Sequence, residues 1–460
     1  MSLPADIVAS LKDILGPDGF LDSPEDMRAF AYDLFANHKP DAVALPISTE
    51  QVSAVMKICN ARHIPVYPRG SGTSLAGSPV PILGGLVLCS SRMNKVLEVS
   101  VTDRLAVAQA GCVTGNLKKA AEKQGLMYPP NPTSFLYSTI GGNVSTNAGG
   151  ASGAKYGVTR DYLMGLTAVL PDGTIVKLGN RCQKDVVGFD LPRIICGSEG
   201  LLAFITEVTV KLVPMPEAIK TSLAYFSDVT EAGSVVADVV SHRILPCTLE
   251  LMDRVFLQTV AKVYGVPCPP GAGAALLIEV DGPAVVLDGQ METIRGICEQ
   301  HHAVDFKTAN TEEEREICWQ ARRGGTAALV RQADMLVTLD FVVPIHLLPK
   351  GLGLMEKLAA EHHCNVVTIA HAADGNMHPM VLYNPGDAEQ SRNYRAFVDA
   401  ATRTIIDLGG TISGEHGIGL EKKDYMPLQL GDEQMRIMRG ICQLFDPYGI
   451  MNPGKLERRG

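Results

Sequence analysis

Two short segments hold most of the side chains able to do chemistry. The first is VVTIAHAADGNMHPMVLY (366–383), in which His371 and His378 flank Asp374 and Gly375. Residues 366–370 and 379–383 are strand-like, and Asp-Gly is a preferred two-residue hairpin turn. Folding the chain there sets His371 directly opposite His378. Directly opposed residues share a face, with Cβ atoms about 4.5–5.5 Å apart. Two imidazoles so placed can share one metal ion at about 2.0–2.1 Å per bond. By itself the segment slightly favours an ordinary polar surface patch. The second segment, SGEHGIG (413–419), shifts that balance, because it sets Glu415 and His416 between glycines after the strand-like GGTIS. In extended chain, adjacent side chains point to opposite sides. Glu415 could then complete a His-His-Glu metal site while His416 faces a substrate as base. A hydrolase or a non-haem iron oxygenase could use the same three ligands.

Two glycine-rich stretches argue for a different partner chemistry. PRGSGTSLAG (68–77) directly follows a strand-like run, and its small residues let backbone N–H groups converge on an anion without Cβ interference. Gly70, Ser71, Gly72, Thr73 and Ser74 could hold a pyrophosphate this way. The pattern is neither the Rossmann fingerprint, since Leu75 stands where glycine or alanine is needed, nor a Walker loop. Alone it is as readily a connecting loop. PTSFLYSTIGGNVSTNAGGASGAKYG (132–157) adds six glycines and seven Ser/Thr in a run with almost no charge. Backbone this small and neutral suits close approach to a large flat ligand. Two such segments suit a dinucleotide gripped from both sides, which a metal-only hydrolase or oxygenase would not need.

The elements around these segments follow a readable order. An amphipathic helix opens the chain. DAVALP (41–46) reads as a strand, and Ser48 and Gln51 fit a capping box ahead of Val52, Val55, Met56 and Cys59 at helical spacing. IPVYP (64–68) reads as the next buried strand of a β-α-β unit. A helix around 115–124 and the strand-like runs LTAVL, GTIVKL and FITEVTVKLV follow. Pro214 and Pro216 punctuate a boundary. Beyond it the grain is antiparallel α+β: strand-like ALLIEV (275–280), a charged helix over 311–324, strand-like MLVTLDFVVP (335–344) and a helix at 349–362. The expected division is an N-terminal helical segment (1–36), a cofactor domain (37–215), a substrate or cap domain (216–408) and a C-terminal segment (409–460) that carries the catalytic loop back to the first domain.

Bulk composition narrows the class. With 46% hydrophobic and 20% charged residues, the 460-residue chain reads as a multidomain globular protein. A formal charge of −9, with no long like-charge block, argues against nucleic acid as a partner. No apolar stretch has the length of a membrane helix, and the first residues lack the pattern of a signal peptide, so the expected compartment is the cytosol. The eleven cysteines form no CxxC pair and no iron–sulfur or zinc spacing. They are expected as free thiols, and any iron–sulfur centre would belong to another polypeptide.

PRGSGTSLAG, GGNVSTNAGG, PDGTIVKLG and GSEGLLAFITEVTVKLVP, in that order, resemble the FAD-binding domain of the vanillyl-alcohol oxidase flavoprotein family. The resemblance implies an α+β fold with FAD between two subdomains. It implies cofactor contacts from Pro68, Arg69, Gly70, Ser71, Gly72, Thr73 and Ser74; from Pro132, Thr133, Ser138, Gly141, Gly142, Asn143, Thr146, Asn147, Gly149 and Gly150; and from Glu199, Gly200, Ile205 and Asn452. Some members attach FAD through a His or Cys near these loops. Neither occurs in 64–77 or 128–157, so noncovalent FAD is expected.

HAADGNMHP, SGEHGIGLEK and FDPYGIMNPGK resemble the C-terminal domain of FAD-linked 2-hydroxy acid dehydrogenases. That group spans D-lactate dehydrogenases, the glycolate oxidase flavoprotein subunit and D-2-hydroxyglutarate dehydrogenase. It implies His371, His378 and Glu415 as ligands of one divalent metal (zinc, manganese or ferrous iron), His416 as base, and Arg322 as the grip on the substrate carboxylate. Ala373 replaces a glycine usual in the hairpin, which changes no ligand. Thr338 stands where the 2-hydroxyglutarate branch has a lysine for the second carboxylate. The expected activity is therefore oxidation of a small (D)-2-hydroxy acid, D-lactate or glycolate, with D-2-hydroxyglutarate as the alternative. Electrons would pass to a separate iron–sulfur subunit, an electron-transfer flavoprotein or quinone. Membrane association through such a partner and a homodimer are both left open. A non-catalytic electron-transfer or assembly subunit is a third class, but it would not need His416 beside Glu415.

Overall fold

The computed structural model describes residues 3–265 and 268–456, so the outermost residues of the expected first and last segments lie outside it. The chain forms two compact units. One comprises Met1–Gly149, Gly157–Met215 and Glu415–Gly460; the other comprises Gly150–Tyr156 and Pro216–Gly414.

In the first unit the sequence signals for a helix after DAVALP are realised in detail. Helix Thr49–Ala61 is capped by Ser48, whose hydroxyl accepts from the Gln51 N–H at 3.3 Å. Gln51 Oε1 reaches back to the Ile47 N–H at 2.8 Å, and Val52, Val55, Met56 and Cys59 are buried on one face. The strands on either side, Ala42–Ala44 and Val66–Arg69, are not neighbours. Leu86–Cys89 lies between them, parallel to both. A five-stranded antiparallel sheet follows in the order Val96–Ser100, Leu105–Gln109, Phe204–Lys211, Leu163–Val169, Ile175–Gly179. The parallel strands bury both faces, Ala44, Val66 and Leu88 on one and Val43, Tyr67 and Val87 on the other, while the five-stranded sheet packs mainly into a further core and contributes Val169 and Phe204 to the first. The chain's end rejoins this unit: Ile450 and Met451 enter the core, and the Asn452 N–H donates to the Val66 carbonyl at 2.8 Å.

The glycine-rich stretch is less loop-like than its composition suggests. Ile140–Thr146 is a short helix capped by the Thr139 hydroxyl, which accepts from the Gly142 N–H at 3.3 Å. It ends at Asn147 in the left-handed region. Residues 150–156 belong to the second unit. There the Lys155 ammonium donates to the Asp281 carbonyl at 2.6 Å and the Tyr156 hydroxyl to its carboxylate at 2.6 Å.

The second unit is built on one eight-stranded sheet whose pairs are all antiparallel. Its order is Asp305–Ala309, Ala218–Phe226, Ala274–Gly282, Thr248–Asp253, Asn365–His371, Asn376–Tyr383, Met335–Thr338, with Phe341–Val342 also pairing to Asn376–Tyr383. Helices cover both faces, and the apolar residues fall into two cores. Leu276 and Ile278 face one; Ala275 and Leu277 face the other. This explains why ALLIEV shows no polar alternation. The charged helix, Glu312–Leu329, runs past the glycines expected to end it. A Cβ at Gly325 would overlap the Phe256 ring and one at Gly324 the Tyr264 ring, so these glycines permit close helix packing instead of stopping the helix.

All eleven cysteines are free. Among the described residues, no helix is long and apolar enough to cross a membrane.

Candidate active site

The two glycine-rich segments of the first unit are neighbours. A Cβ at Gly70 would overlap the Thr139 hydroxyl, and the Ser71 hydroxyl donates to the Tyr137 carbonyl at 2.5 Å. Gly72 has φ +74°, and a Cβ there would strike the Arg69 guanidinium. Only glycine fits both the conformation and the space. Among the described residues, the N–H groups of Ser71, Gly72 and Thr73 make no hydrogen bond within the protein. A row of backbone donors in a loop of small residues is the construction an anionic phosphate needs.

The side chains expected around the cofactor divide into two kinds. Several hold the scaffold together. Arg69 is buried and donates to the carbonyls of Tyr32 at 2.9 Å and Ala29 at 3.3 Å. Asn143 donates to the Thr114 hydroxyl at 2.7 Å. The Ser138 carbonyl accepts from the Thr114 N–H at 2.9 Å, the Thr146 hydroxyl donates to the Gly142 carbonyl at 3.2 Å, and Asn147 accepts from the Arg160 N–H at 2.9 Å. Ile205 lies in the core. Pro132 accepts from the Phe135 N–H at 2.9 Å, whereas Thr133 is exposed. The others bring backbone close: Gly200 turns under Pro68, Gly141 packs on Ala110, and Gly149 lies against the Glu415 carboxylate.

Glu199 is the hub of this unit. Its carboxylate accepts from the N–H groups of Ile418 at 2.7 Å and Gly419 at 2.9 Å, and from the Ser78 hydroxyl at 2.5 Å. Its carbonyl accepts from the Asn452 amide at 2.7 Å, and that amide also donates to the Ser78 carbonyl at 3.0 Å. The loop bearing Glu415 and His416 is thus strapped to the GSEG turn and to the chain's end. Residues 414–416 form bends and not an extended strand, so the alternation expected for Glu415 and His416 does not apply. His416 Nε2 lies 3.8 Å from Glu415 Oε1.

In the second unit the histidine hairpin has a different turn from the one its sequence suggests. Residues Ala372–Asp374 form a 3-10 turn and Gly375 closes it at φ +78°. The loop is therefore four residues long, and the register shifts by two. His371 faces Asn376, and His378 faces Ile369. A shift of two preserves the face, so the rings still meet, with centroids 5.1 Å apart and planes at 83°. Both residues are buried.

Each imidazole is oriented through its Nδ1. That of His371 lies 2.5 Å from Glu250 Oε1, and that of His378 lies 3.1 Å from the Leu339 carbonyl. With a proton on each Nδ1, the Nε2 lone pair becomes the donor, which is the outer-shell pattern of metal-binding histidines. Glu250 also pairs with Arg322, at 2.6 Å to Nη2, and the Arg322 Nε is buried with no partner among the described residues. Burial pushes the Glu250 carboxyl up, but its contacts with the His371 imidazole and the Arg322 guanidinium outweigh it and hold the group below the usual carboxylate range. Asp340, fully buried, accepts from the Ser413 hydroxyl at 2.8 Å and the Gly414 N–H at 2.9 Å, and its other oxygen lies 3.9 Å from His378 Nδ1.

Glu250 and Asp340 escaped the sequence reading. Each is an acid flanked on both sides by apolar residues, in LELM and LDFVV, and that setting is the available signal. A charge among residues buried on both sheet faces needs a partner.

Comparison with known proteins identifies the family and the fold. Residues 215–456 match the family of FAD linked oxidases, C-terminal domain, and residues 40–179 match the FAD binding domain. The chain belongs to the FAD-linked oxidases and has the fold of the vanillyl-alcohol oxidase flavoproteins. It is an FAD-dependent oxidoreductase. It is 40% identical to the glycolate oxidase subunit GlcD of Bacillus subtilis (strain 168), over 98% of this chain and 96% of that one. It is 35% identical to a D-lactate dehydrogenase of Anaerostipes hadrus, over 98% and 97%. Among solved structures, p-cresol methylhydroxylase with substrate bound superposes with a TM-score of 0.79 at 16% identity, covering 98% of this chain and 96% of that one.

Proposed function

We propose that the protein oxidises a small (D)-2-hydroxy acid, D-lactate or glycolate, to the 2-oxo acid. The observation that carries this reading is the orientation of His371 and His378. Both present Nε2 from one sheet face, with Nδ1 held by Glu250 and by the Leu339 carbonyl. In this reading His371, His378 and Glu415 hold one divalent ion, zinc, manganese or ferrous iron. Glu415 follows directly on Gly414, which Asp340 fastens beside the hairpin. The names of the relatives, glycolate oxidase and D-lactate dehydrogenase, support the substrate class.

When bound, noncovalent FAD supplies a two-electron acceptor, and the ion supplies Lewis acidity toward the substrate hydroxyl. The protein's own part is positioning and proton transfer. His416 takes the hydroxyl proton as the α-hydrogen leaves as hydride. Arg322, itself fixed by Glu250, orients the substrate carboxylate. The electrons leave to a separate acceptor: an iron–sulfur subunit, an electron-transfer flavoprotein or quinone.

A monocarboxylate is preferred to D-2-hydroxyglutarate because a second carboxylate needs a cation in a desolvated site. Thr338 offers none. Arg323 is exposed and paired with Glu316, and Arg331 is exposed. Anaerobic titration with D-lactate, glycolate and D-2-hydroxyglutarate, following flavin bleaching, tests the reading. The first two are expected to bleach the flavin efficiently. A flavin reduced by none of the three defeats the proposal, and higher kcat/KM for the dicarboxylate defeats its substrate part.

A further inference from the structure

The structure points to a further participant, Glu250, which we propose is the positioning residue that couples the metal ion to the substrate-binding arginine. The inference rests on the metal assignment above. Glu250 sits on strand Thr248–Asp253 near the middle of the sheet and is 1% exposed. Its strand neighbours Leu249 and Leu251 enter one core and Met252 the other. A carboxylate here is out of keeping with its surroundings and is tolerated only where both oxygens are engaged.

The register says what engages them. Glu250 is the direct cross-strand partner of His371, and directly opposed residues share a face. His378, on the next strand, is opposite Ile369, two residues from His371. Glu250, His371 and His378 therefore stand on one face of three consecutive strands. Oε1 of Glu250 takes the His371 Nδ1 at 2.5 Å, and Oε2 takes the Arg322 guanidinium at 2.6 Å.

A carboxylate present only to neutralise Arg322 would turn both oxygens to the guanidinium in a bidentate pair. Glu250 divides them instead. One oxygen fixes the proton and the rotation of the His371 ring, which strengthens Nε2 as a metal donor. The other fixes the guanidinium. Displacing either partner moves the carboxylate and hence the other partner, so the ion and the arginine act as one unit.

The test is divalent-ion affinity of the FAD-loaded protein, measured anaerobically for zinc, manganese and ferrous iron by competition with a chelating dye. Glu250→Gln keeps the shape and removes the charge. The double variant Glu250→Gln with Arg322→Gln leaves no uncompensated guanidinium and guards against misfolding of the single one. Both are expected to bind the ion roughly 10–100-fold more weakly while keeping FAD. Affinity within twofold of the parent, even with a lowered melting temperature, would show a purely structural role and overturn the inference. A parent protein that takes up none of the three ions overturns the metal assignment itself, a separable outcome.

Discussion

The Glu199 carboxylate accepts a hydrogen bond from the Gly419 N–H at 2.9 Å, across 220 positions of sequence. With the bonds from Ile418 and Ser78, it fixes the loop that carries Glu415 and His416. Hydrogen bonds to a charged group contribute about 1.5–3 kcal/mol each. Glu199→Ala should destabilise the protein by roughly 2–4 kcal/mol in denaturant unfolding, since these bonds act as a unit. It should also slow single-turnover flavin reduction while leaving FAD stoichiometry intact. Unaltered reduction kinetics would mean that the loop holds its place without Glu199.

The backbone cradle at 70–73 gives a second expectation. Gly72→Val forces a β-branched residue to positive φ and against Arg69, so it should lower FAD content sharply in protein that still folds. The parent, having no His or Cys in either loop, should release its FAD on acid precipitation. Yellow colour retained in the washed pellet would contradict noncovalent binding.

Local signals in the sequence were readable where local physics decides them. The Ser48 cap and the 52/55/56/59 stripe define a helix because all of them lie within about three turns of one another. The hairpin was half legible. Its face was right because the register error was even, but Asp374-Gly375 alone does not reveal that Ala372 and Ala373 join the turn. Gly324 and Gly325 misled because their use depends on Phe256 and Tyr264, far away in the chain. Glu250 could not be assigned a role at all. Its partner His371 lies 121 positions on, and the strand pairing that brings them together follows from the order of the sheet.

Lys455 provides a pH-dependent prediction. It is buried, with its ammonium donating to the carbonyls of Gly77 and Val80 at 2.7 Å each. Burial pulls it down to about 7, against the opposing influence of Asp33 and Glu199. The unfolded group titrates near about 10.4, so between these values the unfolded chain binds more protons and stability rises with pH. Lys455's contribution is fully present above the unfolded value and is lost as pH falls through about 7. Lys455→Met should flatten the stability profile between roughly pH 7 and 10 relative to the parent. Parallel profiles from urea denaturation across that range would remove Lys455 as the cause.

The last prediction separates metal binding from proton transfer. His371 and His378 are oriented as donors, and His416 lies in the loop held by Glu199. If their roles differ, their variants must fail differently. His371→Ala and His378→Ala should each lose the divalent ion and activity yet retain FAD, and chelation of the parent should reproduce that state reversibly. His416→Ala should retain both ion and FAD and reduce its flavin about 10²–10⁴-fold more slowly, the usual contribution of a general base. Elemental analysis and anaerobic stopped-flow reduction on the same preparations make the comparison direct. Full metal content in both hairpin variants would remove the ion from the hairpin. Metal loss in His416→Ala would instead make His416 a ligand, and the base would have to be sought elsewhere.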